Sequence, residues 1–354
     1  MKEEIYVQPT NSNKRIDTLD YLRGFALLGI ILVNIPSLMW IEPPKLANDI
    51  AYSRFLTLFV EGKFFIIFSF LFGIGFYLFI SRAQARGEKA YALFSRRLLI
   101  LLLIGIVHFY FQPGEALTVY AIFGFIALPF YKMRKGINLI LGFILLAITA
   151  YFGLKILMPF PLILLGLAAG QYHLFENITL HRNKIRLVTI VMGLISMVSW
   201  FYQWQYVPEP LVNIQHLPKD QLAAHITNIE QFSLIGLQFS PFASAFYMGT
   251  IILLLQSTLF QRLLAPLKAY GRMALTNYLG QTVLILLIGH AFGLIGQLRY
   301  LESLWICLGI YVCQLLFSKL WLYFFRFGPM EWLWRIGTYW TIPPLRQRNK
   351  DYLL

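Results

Sequence analysis

The sequence is poor in charged residues and in cysteine. Only 13% of its 354 residues are Asp, Glu, Lys or Arg, whereas about 25% is usual for a soluble domain. So few charges could not cover the surface of a soluble fold, and an intrinsically disordered chain would need a more polar composition. Two cysteines are too few for a small disulfide scaffold.

Several chemical motifs are missing as well. The sequence contains no Walker-type Gly-Lys-Ser/Thr, which argues against ATP-driven pumping. It contains no Cys/His cluster with zinc spacing, so we expect no metal site. The net charge of +14 does not indicate a nucleic-acid partner, because the cytoplasmic loops of membrane proteins collect Lys and Arg.

What the sequence has in abundance is apolar residues, at 58% of the chain. A helix that crosses a bilayer needs about 20 of them in succession. The sequence therefore predicts an all-α polytopic integral membrane protein, with about ten transmembrane helices in a single transmembrane domain over residues 1–354. The ten stretches lie at about 22–41, 62–81, 97–112, 116–132, 137–154, 158–175, 187–205, 236–258, 275–296 and 303–325.

The basic residues favour this count and give an orientation. With the amino terminus inside, 23 of the 30 Lys and Arg residues fall on inner segments and 5 on outer ones, as the positive-inside rule requires. We therefore expect both termini in the cytoplasm and membrane lipids as partners. We expect residues 206–235 to form an extracytoplasmic loop, with an amphipathic stretch at 219–232 on the interface, and residues 326–354 to form a cytoplasmic tail.

Five stretches carry a family resemblance. They begin with Arg15-Ile-Asp-Thr-Leu-Asp-Tyr-Leu-Arg-Gly and end with Phe-Gly-Pro-Met-Glu-Trp-Leu-Trp-Arg335. The sequence is identified by them as a member of the YeiB-like family of bacterial membrane proteins, the family of domain of unknown function 418. This resemblance implies the bacterial inner membrane as the location. The stretches lie at 15–34, 68–76, 96–121, 271–281 and 327–335.

The first stretch also resembles the opening of transmembrane acyltransferases such as heparan-type glucosaminide N-acetyltransferases. That resemblance implies transfer of an acyl group from a cytosolic thioester to an acceptor on the far side. The lysosomal-type enzymes carry a working histidine in the loop after the first span, and residues 35–61 contain none. The pattern of the YeiB-like family usually has Gly-Asp where this chain has Gly114-Glu115.

The turn between spans three and four is short for a bilayer. Gln112 comes fifteen residues after Arg97, which is roughly 22 Å of helix, against a hydrocarbon core of about 30 Å. Irregular backbone at that depth needs surrounding protein or a water-filled cavity. We expect a cavity open to the outside, with His108 and Glu115 in its wall.

His108 and Glu115 have two interpretations. As catalytic residues, His108 would take a proton from an acceptor and Glu115 would orient its ring. As a structural pair, they would hold the hairpin together by hydrogen bonding. Four more residues are predicted to bind substrate in the same cavity, or else to serve as interhelical or core packing: Asn34, Lys63, Tyr120 and His290.

The inner ends of spans three to five carry Arg96, Arg97 and Arg134. They are interpreted either as topology signals that contact anionic lipid or as a rim that binds the phosphates of acyl-coenzyme A.

The leading prediction is a transmembrane acyltransferase with acyl-coenzyme A as donor, no metal, and a small-molecule or glycan or lipid acceptor. The alternative is a transporter or lipid-handling protein that uses the same cavity without covalent chemistry. The sequence is compatible with an oligomer.

Overall fold

The computed structural model describes residues 16–176, 178–208 and 218–347. Residues 1–15, 209–217 of the expected outer loop and 348–354 of the expected tail lie outside the described part. Within the described part, the regular secondary structure is helical, apart from one isolated antiparallel bridge between Phe325 and Arg346. The helices are α1 (Asp17–Leu38), α2 (Ala47–Phe55), α3 (Lys63–Ala85), α4 (Ala90–Phe109), α5 (Leu117–Ala127), α6 (Lys135–Tyr151), α7 (Pro159–Gln171), α8 (Arg182–Trp204), α9 (Lys219–Leu254), α10 (Thr258–Leu263), α11 (Ala265–Arg272), α12 (Ala274–Ala291), α13 (Tyr300–Phe324) and α14 (Pro329–Tyr339).

The multi-pass, all-α architecture is confirmed. In the described part of the chain, seven helical segments are long and apolar enough to cross a membrane, namely α1, α2 with α3, α4, α8, α9, α12 and α13. Three shorter apolar helices at Leu117–Lys132, Lys135–Tyr151 and Pro159–Gln171 coincide with predicted spans four to six. The total of ten spans and the cytoplasmic termini stay predictions.

Glycines bring the helices that build the centre into backbone contact. A Cβ on Gly73 of α3 would collide with the carbonyl of Ile163, and one on Gly166 of α7 with the carbonyl of Phe70. A Cβ on Gly271 of α11 would collide in the same way with the carbonyl of Asp20 in α1. Small residues therefore permit the close helix packing typical of membrane interiors, and they draw α11 against the start of α1.

Two regions differ in shape from the sequence expectation. The polar stretch 219–232 is the first part of α9, a continuous helix of 36 residues, rather than a separate segment lying along the interface. The carboxyl-terminal segment contains α14, which packs against α4 through Gly337 and Ile100. Trp334 of α14 donates a hydrogen bond from its indole nitrogen to the carbonyl of Arg97, at 2.8 Å.

The orientation can be tested with single cysteines in a background in which Cys307 and Cys313 are replaced by alanine. We expect Asp220→Cys, at the start of α9, to react with a membrane-impermeant maleimide in intact cells. Glu88→Cys, in the turn between α3 and α4, should react only after the cells are opened. Labelling of position 88 but not position 220 in intact cells would reverse the orientation.

Candidate functional site

One end of the helix bundle collects arginines in a cavity of about 410 Å³. This cavity, called the basic vestibule below, is formed by the starts of α1, α4 and α12, the ends of α3 and α11, the segment before α14, and α14. Two carboxylates, of Asp20 and Glu331, also line it. Its basic residues are Arg23, Arg82, Arg86, Arg97, Arg272, Arg326 and Arg335.

The vestibule is strongly positive even after its internal pairs are considered. Arg23 pairs with Asp20 at 3.0 Å. The guanidinium of Arg97 lies over the ring of Trp334, 3.5 Å from its centroid, in a cation–π contact. Seven arginines against two carboxylates leave an excess of positive charge. Because guanidinium groups match phosphate oxygens with two parallel hydrogen bonds, this arrangement can bind a phosphate-bearing anion.

Glu331 caps the amino-terminal end of α12. Its carboxylate accepts hydrogen bonds from the backbone N–H groups of Leu275, at 2.7 Å, and Thr276, at 3.2 Å. It also accepts one from the Thr276 hydroxyl at 2.6 Å. Burial raises the pKa of the Glu331 carboxyl above its ordinary value. Glu331 therefore fixes α14 to the first turn of α12.

A second and larger space, called the central cavity below, has a volume of about 850 Å³. It is lined by α1, the π-helical turn Leu56–Val60, α3, the turn between α4 and α5, and the start of α12. Its polar groups are concentrated at the end away from the vestibule, where Lys155 pairs with Glu61 at 3.2 Å. Asn34 and Gln112 also line this end.

The basic vestibule and the central cavity adjoin. Four residues line both spaces: Phe72, Ala274, Leu275 and Trp334. Trp334 is held at this junction by its hydrogen bond to the Arg97 carbonyl and by the Arg97 guanidinium stacked on its ring. A molecule with its anionic part among the arginines could therefore extend past Trp334 into the central cavity.

The turn between α4 and α5 brings His108 and Glu115 together. Nδ1 of His108 lies 3.7 Å from Oε2 of Glu115, and Nε2 is 2.9 Å from the hydroxyl of Thr282 in α12. Within the described residues, Nδ1 has no hydrogen-bond partner. The imidazole packs edge-on against Tyr278, with ring centroids 5.1 Å apart.

Glu115 also caps the amino-terminal end of α5. Its two carboxylate oxygens accept hydrogen bonds from the backbone N–H groups of Leu117, at 2.7 Å, and Thr118, at 2.6 Å. These amides are two of the four that an α-helix leaves unpaired at its start. Gly105 makes room for this arrangement, since a Cβ there would press on Thr118 and the Glu115 carboxylate.

The pair lies behind the cavity wall rather than open to it. The Glu115 side chain is 0% exposed and the His108 side chain 5%. Glu115 borders the central cavity, but His108 is not among the lining residues. The expected proximity of the two residues is present, whereas the expected access to water is not, because the carboxylate turns inward to the first amides of α5.

The other predicted substrate-binding residues divide into two groups. Asn34 and Tyr120 line the central cavity. Lys63 is fully buried outside it, and its ammonium donates a hydrogen bond to the carbonyl of Thr57 at 2.9 Å. His290 is exposed at the end of α12, and the structure does not bring it to the cavity.

Of the three predicted rim arginines, only Arg97 lines the vestibule. Arg96 stacks on the ring of Trp340, 3.9 Å from its centroid. Arg134 is exposed at the start of α6. The other vestibule arginines come from segments far apart in the sequence, so spacing alone could not group them. Within the described residues, no group of three or more His, Cys, Asp or Glu side chains could hold a metal ion.

Glu115→Gln tests the capping role. An amide offers one oxygen where two backbone N–H groups now find carboxylate oxygens, and its NH₂ group would oppose one of them. We expect the free energy of unfolding to fall by about 1–3 kcal/mol, measured by thermal melting in detergent. Glu230→Gln, on an exposed face of α9, is the matched control and should melt like the native protein. Equal melting of both variants would contradict the capping role.

The chain matches two family models. Residues 169–341 match a family described as protein of unknown function (DUF418). Residues 15–180 match the catalytic region of heparan-alpha-glucosaminide N-acetyltransferase. The vestibule draws Arg23, Arg82 and Arg97 from the second of these regions and Arg272 and Arg335 from the first.

Three relatives match over nearly their full length. An uncharacterized 39.9 kDa protein in the amylase 3′ region of Bacillus acidopullulyticus is 52% identical over 335 residues, covering 94% of this chain and 96% of the relative. YxaH of Bacillus subtilis (strain 168) is 30% identical over 408 residues, covering 97% and 99%. YeiB of Escherichia coli (strain K12) is 27% identical over 393 residues, covering 90% and 94%.

No solved structure matches the chain. Near-complete coverage of these relatives and the two family models lead to one assignment. The chain belongs to the YeiB-like family of membrane proteins described as DUF418, with a first half similar to the catalytic region of a transmembrane acetyltransferase.

Proposed function

We propose that this protein is a transmembrane acyltransferase. It would take an acyl group from a cytosolic thioester of the coenzyme A type and deliver it to an acceptor on the extracytoplasmic side. The observation that carries the proposal is the junction of the basic vestibule with the central cavity at Phe72, Ala274, Leu275 and Trp334. The match of residues 15–180 to an acetyltransferase catalytic region supports the same chemistry.

The vestibule is the donor site in this proposal. Its arginines suit the phosphates of a nucleotide-bearing thioester. The excess of basic residues at this end supports its assignment to the cytoplasmic side under the positive-inside rule. The acyl-bearing arm of the donor then passes Trp334 into the central cavity. The acceptor enters from the opposite end, past the Glu61–Lys155 pair.

Acyl transfer needs a base at the meeting point. The hydroxyl oxygen or amine nitrogen of the acceptor attacks the thioester carbonyl, a C–O or C–N bond forms, and the C–S bond breaks. The thiolate leaves on the donor. We assign the acceptor proton to His108, because Glu115 at 3.7 Å can balance the imidazolium charge. His108 is 5% exposed and does not line the central cavity in this conformation, so neighbouring side chains have to move for the acceptor to reach it.

The adjoining cavities also favour a second function. An amphiphilic solute could move intact from one cavity to the other without covalent chemistry, as in a transporter. The two functions differ in the fate of the donor. Acyl transfer separates the acyl group from its carrier, whereas transport keeps them together.

Binding of coenzyme A tests the donor site. We expect Arg97→Gln to weaken binding by about tenfold or more, because a hydrogen bond to a charged group contributes about 1.5–3 kcal/mol. Isothermal titration calorimetry on purified protein measures this. Arg134→Gln is the matched control, since that arginine is exposed away from the vestibule, and it should bind like the native protein. Equal losses in both variants would remove the vestibule as the donor site.

A doubly labelled donor separates the two functions. Acetyl- and octanoyl-coenzyme A, each carrying ¹⁴C in the acyl group and ³H in the adenine, are added separately outside inverted membrane vesicles that contain glucosamine. We expect ¹⁴C to accumulate on glucosamine inside while ³H stays outside. Entry of both labels in equal amounts would establish transport instead.

His108→Ala in the same assay should lower ¹⁴C transfer by about 100-fold or more, the usual contribution of a general base. Thr282→Val is the control, because it removes the Nε2 partner of His108 but keeps the imidazole, and it should retain more transfer than His108→Ala. If both variants lose activity and melting temperature to the same extent, His108 has a structural role only.

A further inference from the structure

The central cavity changes character along its length. The end that meets the vestibule is walled by apolar and aromatic side chains, among them Phe68, Phe72, Leu101 and Tyr120. The ring of Tyr120 stacks on both phenylalanines, with centroids 6.2 Å from Phe68 and 5.6 Å from Phe72. Its hydroxyl is directed to the Phe65 carbonyl, at 3.4 Å, so it offers the cavity little polarity.

The opposite end is polar and reaches solvent. Lys155 and Glu61 are about half exposed, at 54% and 49%, and Asn34 and Gln112 lie on the same side of the cavity. A molecule that fills the whole cavity is therefore apolar where it approaches the arginines and polar where it faces the far side of the membrane.

The central cavity as a whole is larger than an acetyl group and a small acceptor require. Its volume of about 850 Å³, which includes both ends, falls in the range of about 300–1,000 Å³ that holds ligands with many heavy atoms. Water would find few partners among these phenylalanines and leucines, and apolar cavities tend to stay dry or to bind apolar molecules. The natural occupant is hydrocarbon.

We infer that the apolar end of the central cavity binds the hydrocarbon chain of the acyl group, so that the donor is a medium- or long-chain acyl thioester rather than acetyl-coenzyme A. This inference rests on the proposed function. The chain belongs to the donor and not to the acceptor, because the apolar end is the one that meets the vestibule at Phe72 and Leu275. The polar end is left for the acceptor.

Competition binding in nanodiscs tests the inference. Acetyl-, butyryl-, octanoyl- and lauroyl-coenzyme A are compared as competitors of tritiated coenzyme A, each below its micellar concentration. A buried methylene tightens binding by about fourfold, so octanoyl-coenzyme A should bind more than about tenfold more tightly than acetyl-coenzyme A.

Ile30→Phe is the test variant, because Ile30 lines the cavity from the middle of α1 and a larger ring there takes up the space of the chain. It should reduce the octanoyl preference by about tenfold while coenzyme A itself binds as before. Ile122→Phe, on an exposed face of α5, controls for partitioning into lipid and should keep the preference. Phe72→Leu enlarges the cavity and should shift the preference toward lauroyl-coenzyme A. This second variant allows the inference to be tested even if Ile30→Phe does not fold.

The outcomes separate this inference from the proposed function. Equal binding of acetyl- and octanoyl-coenzyme A, unchanged by Ile30→Phe, would overturn the chain-binding site and leave acyl transfer standing. A preference of the same size in both the Ile30→Phe and Ile122→Phe variants would overturn it as well, because lipid partitioning would then explain it. Absence of any coenzyme A binding would overturn the proposed function together with the inference that rests on it.

Discussion

In the described part of the chain, the first backbone amides of α5, α12 and α13 need hydrogen-bond partners that a bilayer cannot supply. Carboxylates provide them. Glu115 takes the amides of α5 and Glu331 those of α12. Asp49, which is buried, accepts a hydrogen bond from the amide of Leu301 in the first turn of α13, at 2.9 Å. A helix start carries partial positive charge, so each buried carboxylate and each helix start stabilise one another.

The two cavities depend on these contacts. Glu331 holds α14 against the start of α12, and α14 in turn places Trp334 at the junction. Glu115 fixes the turn that walls the central cavity. Carboxylates that would otherwise be costly in a membrane interior are thus part of the scaffold. His108 differs from them, because its Nδ1 makes no hydrogen bond within the described residues.

Hydropathy and charge were sufficient to predict the architecture, because a bilayer imposes length and composition on every span. They also predicted the proximity of His108 and Glu115, which a short hairpin enforces. They could not predict the direction of a side chain. The sequence predicted Asn34 and His290 in the same cavity, yet Asn34 lines the central cavity and His290 is exposed away from it. The same limit applies to Lys63, whose partner is a carbonyl in a π-helical turn. It applies also to the vestibule, whose arginines come from α1, the end of α3, α4, α11, the segment before α14 and α14 itself.

The long α9 has a practical consequence for imaging. Its 36 residues extend about 54 Å, well beyond a hydrocarbon core of about 30 Å. α8 braces it as far as Gln203, which donates a hydrogen bond to the Phe232 carbonyl at 2.8 Å. A 41.1 kDa protein surrounded by detergent gives electron micrographs little to align on. The exposed first turns of α9 give an antibody fragment a helical epitope outside the lining of both cavities, from which particle orientation can be determined.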